Sequence, residues 1–208
     1  MPSEKPLAKG GKTNRSRGGS LRLLASRVRL LLLDVDGVLT DGRLYIGDMV
    51  GPDDSSSLVE LKAFHIQDGH GMKMAARGGL EVGWISSRFS TVTARRAKEL
   101  GISLLAQPAP EQKPPPEKLD VARQMAAKLG VGLEQVCFVG DDLVDAPVMR
   151  EVALPVAVAD AVLEVRRLAA YVTEKPGGAG AVREVVELIL KSQGLWRKLV
   201  SKYGIEER

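Results

Sequence analysis

Short apolar runs that alternate with helix-like segments constrain the fold of this 208-residue chain more than any other feature. Residues 29–34, 80–86 and 135–139 predict strands that are buried on both faces, because their apolar side chains are nearly continuous. Shorter strands are predicted at 102–106, 153–158 and 170–172, and helices at 69–78, 90–100, 117–129, 161–169 and 180–192. Strands that alternate with helices predict a parallel sheet covered on both faces, which is a three-layer, doubly wound, Rossmann-like α/β domain.

Two further segments interrupt this alternation. Residues 43–47 and 58–65 flank a loop rich in Gly, Asp and Ser, which predicts a small β-hairpin flap. Residues 108–116 are rich in proline and predict a spacer without regular structure. The gap before the second core strand leaves no room for a large cap domain.

The positive net charge of +4 belongs to the N-terminal end of the chain. Residues 1–29 carry eight Lys and Arg and one Glu, so the remainder has a net negative charge. Only 4% of the residues are aromatic, and neither a basic surface nor a stacking platform for nucleic acid is predicted. We expect a basic, disordered tail over 1–27, one domain over 28–194 and a C-terminal tail over 195–208. The N-terminal segment stays open to three interpretations: a solvated extension, a transit peptide or a weak contact to an anionic surface.

The apolar runs and the cysteine content exclude two further classes of protein, those that span a membrane and those held together by disulfides. No stretch approaches the roughly 18 apolar residues that a membrane-spanning helix requires, so no membrane partner is expected. Cys137 is the single cysteine and lies in an apolar run, which predicts a buried thiol and excludes a disulfide framework. These features indicate a cytoplasmic protein.

The first core strand ends in two carboxylates, Asp34 and Asp36, followed by Gly37. The two carboxylates lie on the same side of an extended segment and repel each other unless a cation or a proton intervenes. Oxygen ligands of this kind suit Mg²⁺. A helix–loop–helix calcium site does not fit, because Val38 and Tyr45 stand at its fifth and twelfth positions. An ordinary polar turn stays open for this motif taken alone.

Three more polar segments follow predicted strands or begin predicted helices. Asp141, Asp142 and Asp145 crowd the end of the strand at 135–139, where one of the first two could also cap the next helix. The segment Ser86-Ser87-Arg88 follows another core strand and predicts a cradle for an anion, although serines there also serve as helix N-caps. Lys118 supplies a cation at a helix start, or is a solvated surface lysine. Because ligands bind at the carboxyl ends of strands in such sheets, we expect these side chains to meet there.

The segments in this order resemble the four motifs of the haloacid dehalogenase superfamily of phosphatases. Longer matches from about Val28 to Gly194 resemble the 3-deoxy-D-manno-octulosonate 8-phosphate phosphatases. The matching segments are Asp-Val-Asp-Gly-Val-Leu-Thr-Asp-Gly at 34–42, Leu-Lys-Ala-Phe-His at 61–65, Asp-Gly-His-Gly at 68–71, Val-Gly-Asp-Asp-Leu-Val-Asp at 139–145, Val-Ala-Val-Ala-Asp-Ala at 156–161 and Gly-Gly-Ala-Gly-Ala-Val-Arg-Glu at 177–184. The resemblance implies a Mg²⁺-dependent hydrolase of a sugar-acid phosphate.

The resemblance also implies a role for each motif. Asp34 is the nucleophile that becomes an aspartyl-phosphate, and Asp36 is the general acid and base. Mg²⁺ is held by Asp34, by the backbone carbonyl of Asp36 and by Asp141. Lys118 neutralises charge, and the segment 86–88 binds the phosphoryl group of the substrate. Family members without a cap resemble homotetramers in which a neighbour's hairpin covers the site.

Two details of the match need attention: the choice of the motif lysine, and three departures from the family pattern that bear on the substrate. Lys118 opens the helix that leads to the second acidic strand end, whereas Lys113 falls within the proline-rich spacer. Ser87 stands where the family usually has glycine, and Gln67 and Ala179 stand where it often has arginine. A nonulosonate 9-phosphate phosphatase and a non-catalytic binding subunit of the same fold are therefore retained as alternatives.

Overall fold

The computed structural model describes the backbone of residues 14–50 and 56–205, and the side chains of residues 20–49 and 57–205. Its centre is a six-stranded, all-parallel sheet in the order β5-β4-β1-β6-β7-β8. The strands are β1 (Leu30–Asp34), β4 (Glu81–Ile85), β5 (Leu104–Ala106), β6 (Val136–Gly140), β7 (Leu154–Ala157) and β8 (Tyr171–Val172). The predicted doubly wound α/β fold without a large cap domain is confirmed.

Helices cover this sheet in two groups. One group contains α1 (Asn14–Ser26), α2 (Ile66–Arg77), α3 (Thr91–Leu100), α7 (Ala181–Ser192) and α8 (Trp196–Ser201), and the others are α4 (Lys118–Lys128), α5 (Ala146–Glu151) and α6 (Leu163–Leu168). The four leucines of β1 are fully buried, as are Trp84 and Phe138 on the two flanking strands. Continuous apolar runs form these central strands because both faces of the sheet pack against helices. Among the described residues, no helix is long and apolar enough to cross a membrane.

The predicted hairpin flap is formed by β2 (Tyr45–Val50) and β3 (Ser56–Leu61), which pair in antiparallel fashion. Several large apolar side chains of this hairpin are exposed in the single chain: Tyr45, Ile46, Met49, Leu58 and Leu61. The second strand was expected to continue to residue 65, but it ends at Leu61 and α2 begins at Ile66. The link of residues 62–65 therefore turns back toward the main sheet.

Two segments expected to be tails carry helices in the structure. Residues 14–26 of the expected disordered segment form α1, which packs against α7 and places Leu21, Leu24 and Ala25 on the core. These three apolar side chains outweigh the basic composition on which the expectation rested. In the expected C-terminal tail, α8 buries Trp196, Leu199 and Val200. Residues 1–13 and 206–208 lie outside the described residues.

A glycine-rich loop from the C-terminal third packs on the segment that follows β1. The amide of Gly178 donates a hydrogen bond of 2.9 Å to the carbonyl of Val38, and the amide of Gly177 donates to Asp160 Oδ1 at 2.9 Å. A methyl group on Gly177 would overlap the carbonyl oxygen of Gly37. This close approach of two backbones therefore requires glycine at position 177 and fixes the loop that follows Asp34.

Replacement of Gly177 by alanine is expected to lower the free energy of unfolding by about 1–3 kcal/mol, because one of the two backbones must move. Urea denaturation followed by circular dichroism measures the change. The matched control is Gly47→Ala, since a methyl group there meets no atom of the described chain within 4 Å. Equal stability of the two variants would contradict the expectation.

Candidate active site

The carboxyl ends of three adjacent strands converge at one edge of the sheet. Asp34 is the last residue of β1, which lies between β4 and β6. Ser86 directly follows β4, and Asp141 directly follows β6. Because all three strands are parallel, their following residues meet at the same edge, as the sequence predicts.

A cleft of about 200 Å³ opens at this edge and is lined by all seven predicted site residues. They are Asp34, Asp36, Ser86, Ser87, Arg88, Lys118 and Asp141. Asp142 and Val144 complete its lining. Segments separated by more than a hundred residues in the sequence therefore contribute to one concave site.

Lys118 joins two buried carboxylates at the floor of the cleft. Its Nζ donates to Asp34 Oδ1 at 2.5 Å and to Asp145 Oδ1 at 2.7 Å. The Lys118 side chain is 4% exposed, because α4 begins at this residue and directs it beneath the strand ends. Lys113, the alternative motif lysine, is exposed within the spacer. The geometry therefore favours Lys118.

Asp145 is a site residue to which the sequence arguments assigned no role. It is fully buried, and its Oδ2 accepts hydrogen bonds from the amides of Asp141 at 2.9 Å and Asp142 at 3.3 Å. Its other oxygen accepts from Lys118, so both oxygens have partners. Asp145 therefore holds Lys118 and the loop after β6 in place. The crowding of three acids in five residues was the signal, but it did not distinguish this anchoring role from that of a metal ligand.

Asp141 has the chemical environment of a cation ligand. One carboxylate oxygen each from Asp34, Asp141 and Asp145 lies within 4.8 Å of the other two. Asp141 Oδ1 is buried and has no hydrogen-bond partner among the described residues. The Asp141 carboxylate lies against Gly37, where a Cβ atom would overlap it. Asp34 and Asp141 therefore fit a divalent cation such as Mg²⁺, whereas the oxygens of Asp145 are already satisfied.

The crowding of these carboxylates changes their pKa values. Burial raises the pKa of Asp34 to about 6, against the opposing effect of the neighbouring Lys118 ammonium. Burial and the charges of Asp34 and Asp145 raise the pKa of Asp141 to about 8. Burial lowers the pKa of Lys118, but the two carboxylates raise it more, so its net shift is upward. A cation at Asp34 and Asp141 would relieve the repulsion that causes the upward shifts.

The loop after β4 has the compact form expected for an anion cradle. The Ser86 hydroxyl accepts a hydrogen bond from the amide of Arg88 at 3.1 Å and lies 3.0 Å from the Arg88 carbonyl oxygen. Ser90, not Ser86 or Ser87, is the N-cap of α3, and it accepts from the amide of Thr93. After β6, Asp142 caps the short 3₁₀ turn of residues 143–145. Neither α3 nor this turn is therefore capped by Ser86, Ser87 or Asp141.

Asp36 lies at the mouth of the cleft and is held by a lysine that the sequence arguments did not single out. Lys62 Nζ donates to Asp36 Oδ1 at 2.6 Å, and the guanidinium of Arg88 lies 3.8 Å from Asp36 Oδ2. Lys62 belongs to the quoted segment at 61–65, but no local pattern indicated its partner.

The three departures from the family pattern lie in different places. Ser87 lines the cleft, whereas Gln67, in the first turn of α2, and Ala179 are exposed and are not among its described lining residues. Within one chain, only the Ser87 departure therefore lies beside the predicted phosphoryl site.

Comparisons with known proteins agree with this geometry. A haloacid dehalogenase-like hydrolase family model matches residues 116–185. The 3-deoxy-D-manno-octulosonate 8-phosphate phosphatase of Escherichia coli strain K12 is 43% identical over 170 residues, which are 82% of this chain and 83% of that protein. The enzyme of the same name from Yersinia pestis is 41% identical over 169 residues, which are 81% of this chain and 83% of that protein.

Solved structures show the same likeness. A 3-deoxy-D-manno-octulosonate 8-phosphate phosphatase from Moraxella catarrhalis, solved with magnesium, phosphate and the octulosonate (KDO), has a TM-score of 0.76 and 34% identity. The match covers 89% of this chain and 98% of that chain. A probable YrbI family phosphatase from Pseudomonas syringae has a TM-score of 0.78 and 41% identity, with 91% and 99% of the two chains covered.

Replacement of Asp141 by asparagine is expected to stabilise the metal-free protein at pH 8. Because its pKa rises from 3.8 in the unfolded chain to about 8 in the folded protein, ionised Asp141 destabilises the fold increasingly as the pH rises through this window. We expect the variant to gain about 1–3 kcal/mol at pH 8 in EDTA and no advantage at pH 4. Thermal unfolding at the two pH values measures this.

The same variant should lose the rise in Tm that Mg²⁺ produces in the wild-type protein, because binding to the folded state alone stabilises it. Asp142→Asn is the control: asparagine also caps turns, so this variant should keep the Mg²⁺ effect and gain no stability in EDTA. A Tm rise of wild-type size in Asp141→Asn would exclude Asp141 as a ligand.

Proposed function

This chain belongs to the family of 3-deoxy-D-manno-octulosonate 8-phosphate phosphatases, which are haloacid dehalogenase-like hydrolases, and we propose that it hydrolyses this sugar-acid phosphate in a Mg²⁺-dependent reaction. The buried pair of Lys118 and Asp34 beside Asp141 carries the proposal. A carboxylate, a cation and a metal-binding carboxylate at one strand edge are the groups that phosphoryl transfer to an aspartate requires. The identity to the named phosphatases supports the choice of sugar acid.

In the first half-reaction, Asp34 attacks the phosphorus atom of the substrate. Its pKa of about 6 leaves it mostly ionised at neutral pH, and Lys118 holds one of its oxygens while the other is free to attack. The bond from phosphorus to the sugar oxygen breaks as the bond to Asp34 forms. Asp36 donates a proton to the departing sugar oxygen, which leaves as an alcohol.

In the second half-reaction, water hydrolyses the aspartyl-phosphate. Asp36, now a carboxylate, removes a proton from the water as it attacks phosphorus, and the bond to Asp34 breaks. Inorganic phosphate is released, and Asp34 and Asp36 return to their starting protonation states. Lys118 stays charged throughout and offsets the negative charge that surrounds the transferring group.

Asp34, Asp141 and the backbone carbonyl of Asp36 would hold Mg²⁺, which would offset the negative charge of the phosphoryl oxygens as the anionic nucleophile approaches. Ser86, Ser87 and Arg88 border the same cleft and offer hydroxyl, amide and guanidinium donors to the phosphoryl group and the sugar acid.

We extend the proposal to the assembly and the location of the protein. The exposed apolar side chains of the hairpin favour packing of this flap on a neighbouring chain, and the family resemblance implies that the assembly is a homotetramer. The fully buried free thiol of Cys137 suits the cytoplasm, where thiols stay reduced.

Phosphate release from a panel of sugar phosphates tests the activity. We expect Mg²⁺-dependent turnover that is highest with 3-deoxy-D-manno-octulosonate 8-phosphate, that is lost in EDTA, and that falls about 10³-fold or more in Asp34→Asn, because covalent catalysis needs that carboxylate. The matched control is Asp48→Asn on the hairpin, which should keep most of the activity.

The panel also separates the alternatives. A preference for a nonulosonate 9-phosphate would replace the sugar and keep the chemistry. No turnover of any phosphate ester by folded protein that responds to Mg²⁺ in thermal unfolding would favour the binding subunit.

Light scattering tests the assembly. Leu58 is 73% exposed in the single chain, and Leu58→Glu places a charge at the proposed contact. We expect the wild type to be a tetramer and this variant to shift to smaller species. Leu23→Glu, on the 54% exposed Leu23 of α1, is the control and should stay assembled. A monomeric wild-type protein would contradict the proposed tetramer.

A further inference from the structure

Lys62 is a buried cation that the proposed reaction does not yet use. It follows β3 at the base of the hairpin and contacts Asp36, the acid and base of the reaction. We propose that Lys62 is a positioning residue that sets the orientation of the Asp36 carboxyl group for proton transfer. This inference rests on the proposed function, because that function gives Asp36 its role.

The contacts of Lys62 define one arrangement of the Asp36 carboxyl group. The Lys62 side chain is 1% exposed, and its Nζ donates to Asp36 Oδ1 at 2.6 Å and to Thr93 Oγ1 at 3.2 Å. A buried ammonium is costly without a partner, so this pair is strongly favoured once the hairpin has folded back. The carboxyl group of Asp36 is therefore fixed by one of its two oxygens.

The other oxygen of Asp36 is left to carry the transferred proton. The guanidinium of Arg88 lies 3.8 Å from Oδ2, which is beyond hydrogen-bond distance. Asp36 lines the cleft, and its side chain is 22% exposed there. Lys62 thus assigns distinct tasks to the two oxygens: Oδ1 anchors the group, and Oδ2 exchanges protons.

The hairpin supplies a second charge that supports this arrangement. Glu60 accepts a hydrogen bond from the Ser90 hydroxyl at 2.6 Å and from the Arg88 guanidinium at 3.3 Å, and it lies 3.9 Å from Lys62 Nζ. Asp36, Lys62, Glu60 and Arg88 therefore form a group of alternating charge, which has no net charge while Asp36 is a carboxylate. The group joins the base of the hairpin to the loops that follow β1 and β4.

The orientation of the Asp36 carboxyl group matters most while the ester bond of the substrate breaks. Asp36 loses its Oδ2 proton to the sugar oxygen while the ester bond breaks, and it regains a proton from the attacking water. Lys62 keeps all its protons in both steps. An alcohol is a poor leaving group without that proton, whereas 4-nitrophenolate leaves readily as an anion, so a misplaced Asp36 should impair the two substrates unequally.

The experiment compares kcat/KM for two phosphate esters in wild type, Lys62→Met and Glu60→Gln. The esters are 3-deoxy-D-manno-octulosonate 8-phosphate and 4-nitrophenyl phosphate. This parameter reports the steps up to departure of the leaving group, before water attacks. Glu60→Gln is the matched control, because it weakens the anchoring of the hairpin but leaves the contact from Lys62 to Asp36 in place. Thermal unfolding with and without Mg²⁺ checks that each variant is folded and binds the metal.

We expect Lys62→Met to lower kcat/KM for the sugar phosphate by about 100-fold or more, and for the aryl phosphate by about threefold or less. Glu60→Gln should affect both substrates by similar factors. Equal losses for both substrates in Lys62→Met would overturn the proposal and make Lys62 a structural anchor. A higher KM with unchanged kcat would overturn it in favour of a substrate contact.

A crystal structure of Lys62→Met tests the positioning without any turnover. We expect the Asp36 carboxylate to leave the orientation seen here, and an unchanged orientation would overturn the proposal. A wild-type protein that hydrolyses no alkyl phosphate would defeat the proposed function before any variant is examined, and the crystal structure would still decide the positioning. The two failures are therefore distinguishable.

Discussion

The burial of like charges at the end of β1 is the constraint on which the site depends. The carboxylates of Asp34 and Asp145 both contact a single buried ammonium, that of Lys118, and a third carboxylate, that of Asp141, lies beside them. One lysine does not balance three carboxylates, so the arrangement is stable only with bound protons or a bound cation. The rigid parallel sheet forces the carboxylates together, because β1 and β6 are hydrogen-bonded neighbours whose ends cannot separate. The fold thus holds in place a charge imbalance that a metal ion and a phosphoryl group can use.

The hairpin performs two tasks. Along its strands, apolar side chains such as Ile46 and Leu58 lie exposed in the single chain. At its base, the side chain of Lys62 is buried and that of Glu60 is partly buried, and both contact the loops that carry Asp36 and Arg88. A single short element therefore links the proposed contact between chains to Asp36, the proposed proton-transfer group. This small flap stands in place of a large cap domain. In the proposed tetramer, the flap of a neighbouring chain also packs there.

The sequence predicted the sheet and the seven cleft residues because both follow from local patterns. Apolar runs define the strands, and the parallel arrangement brings residues such as Asp34, Ser86 and Asp141 to one edge. Local sequence patterns could not predict the partners of Lys62 and Asp145. The partner of Lys62 depends on how far the hairpin folds back, and the partners of Asp145 depend on side-chain directions within a turn. The helix over residues 14–26 was missed for a related reason. Its composition is basic and polar, and its few leucines become informative only once α7 is placed beside them.

The contact of the glycine loop with the segment after β1 has a consequence for the time at which the site is completed. Asp34 leaves the ribosome early, and Lys118 and Asp141 follow. The loop that clamps the backbone beside Asp34 is Gly177-Gly178, and α7, against which α1 and α2 pack, comes later still. A nascent chain that already contains every residue of the cleft thus lacks the last support of Asp34, the proposed nucleophile. The geometry of the candidate site is therefore completed only after the segment that contains Gly177, Gly178 and α7 has joined the sheet.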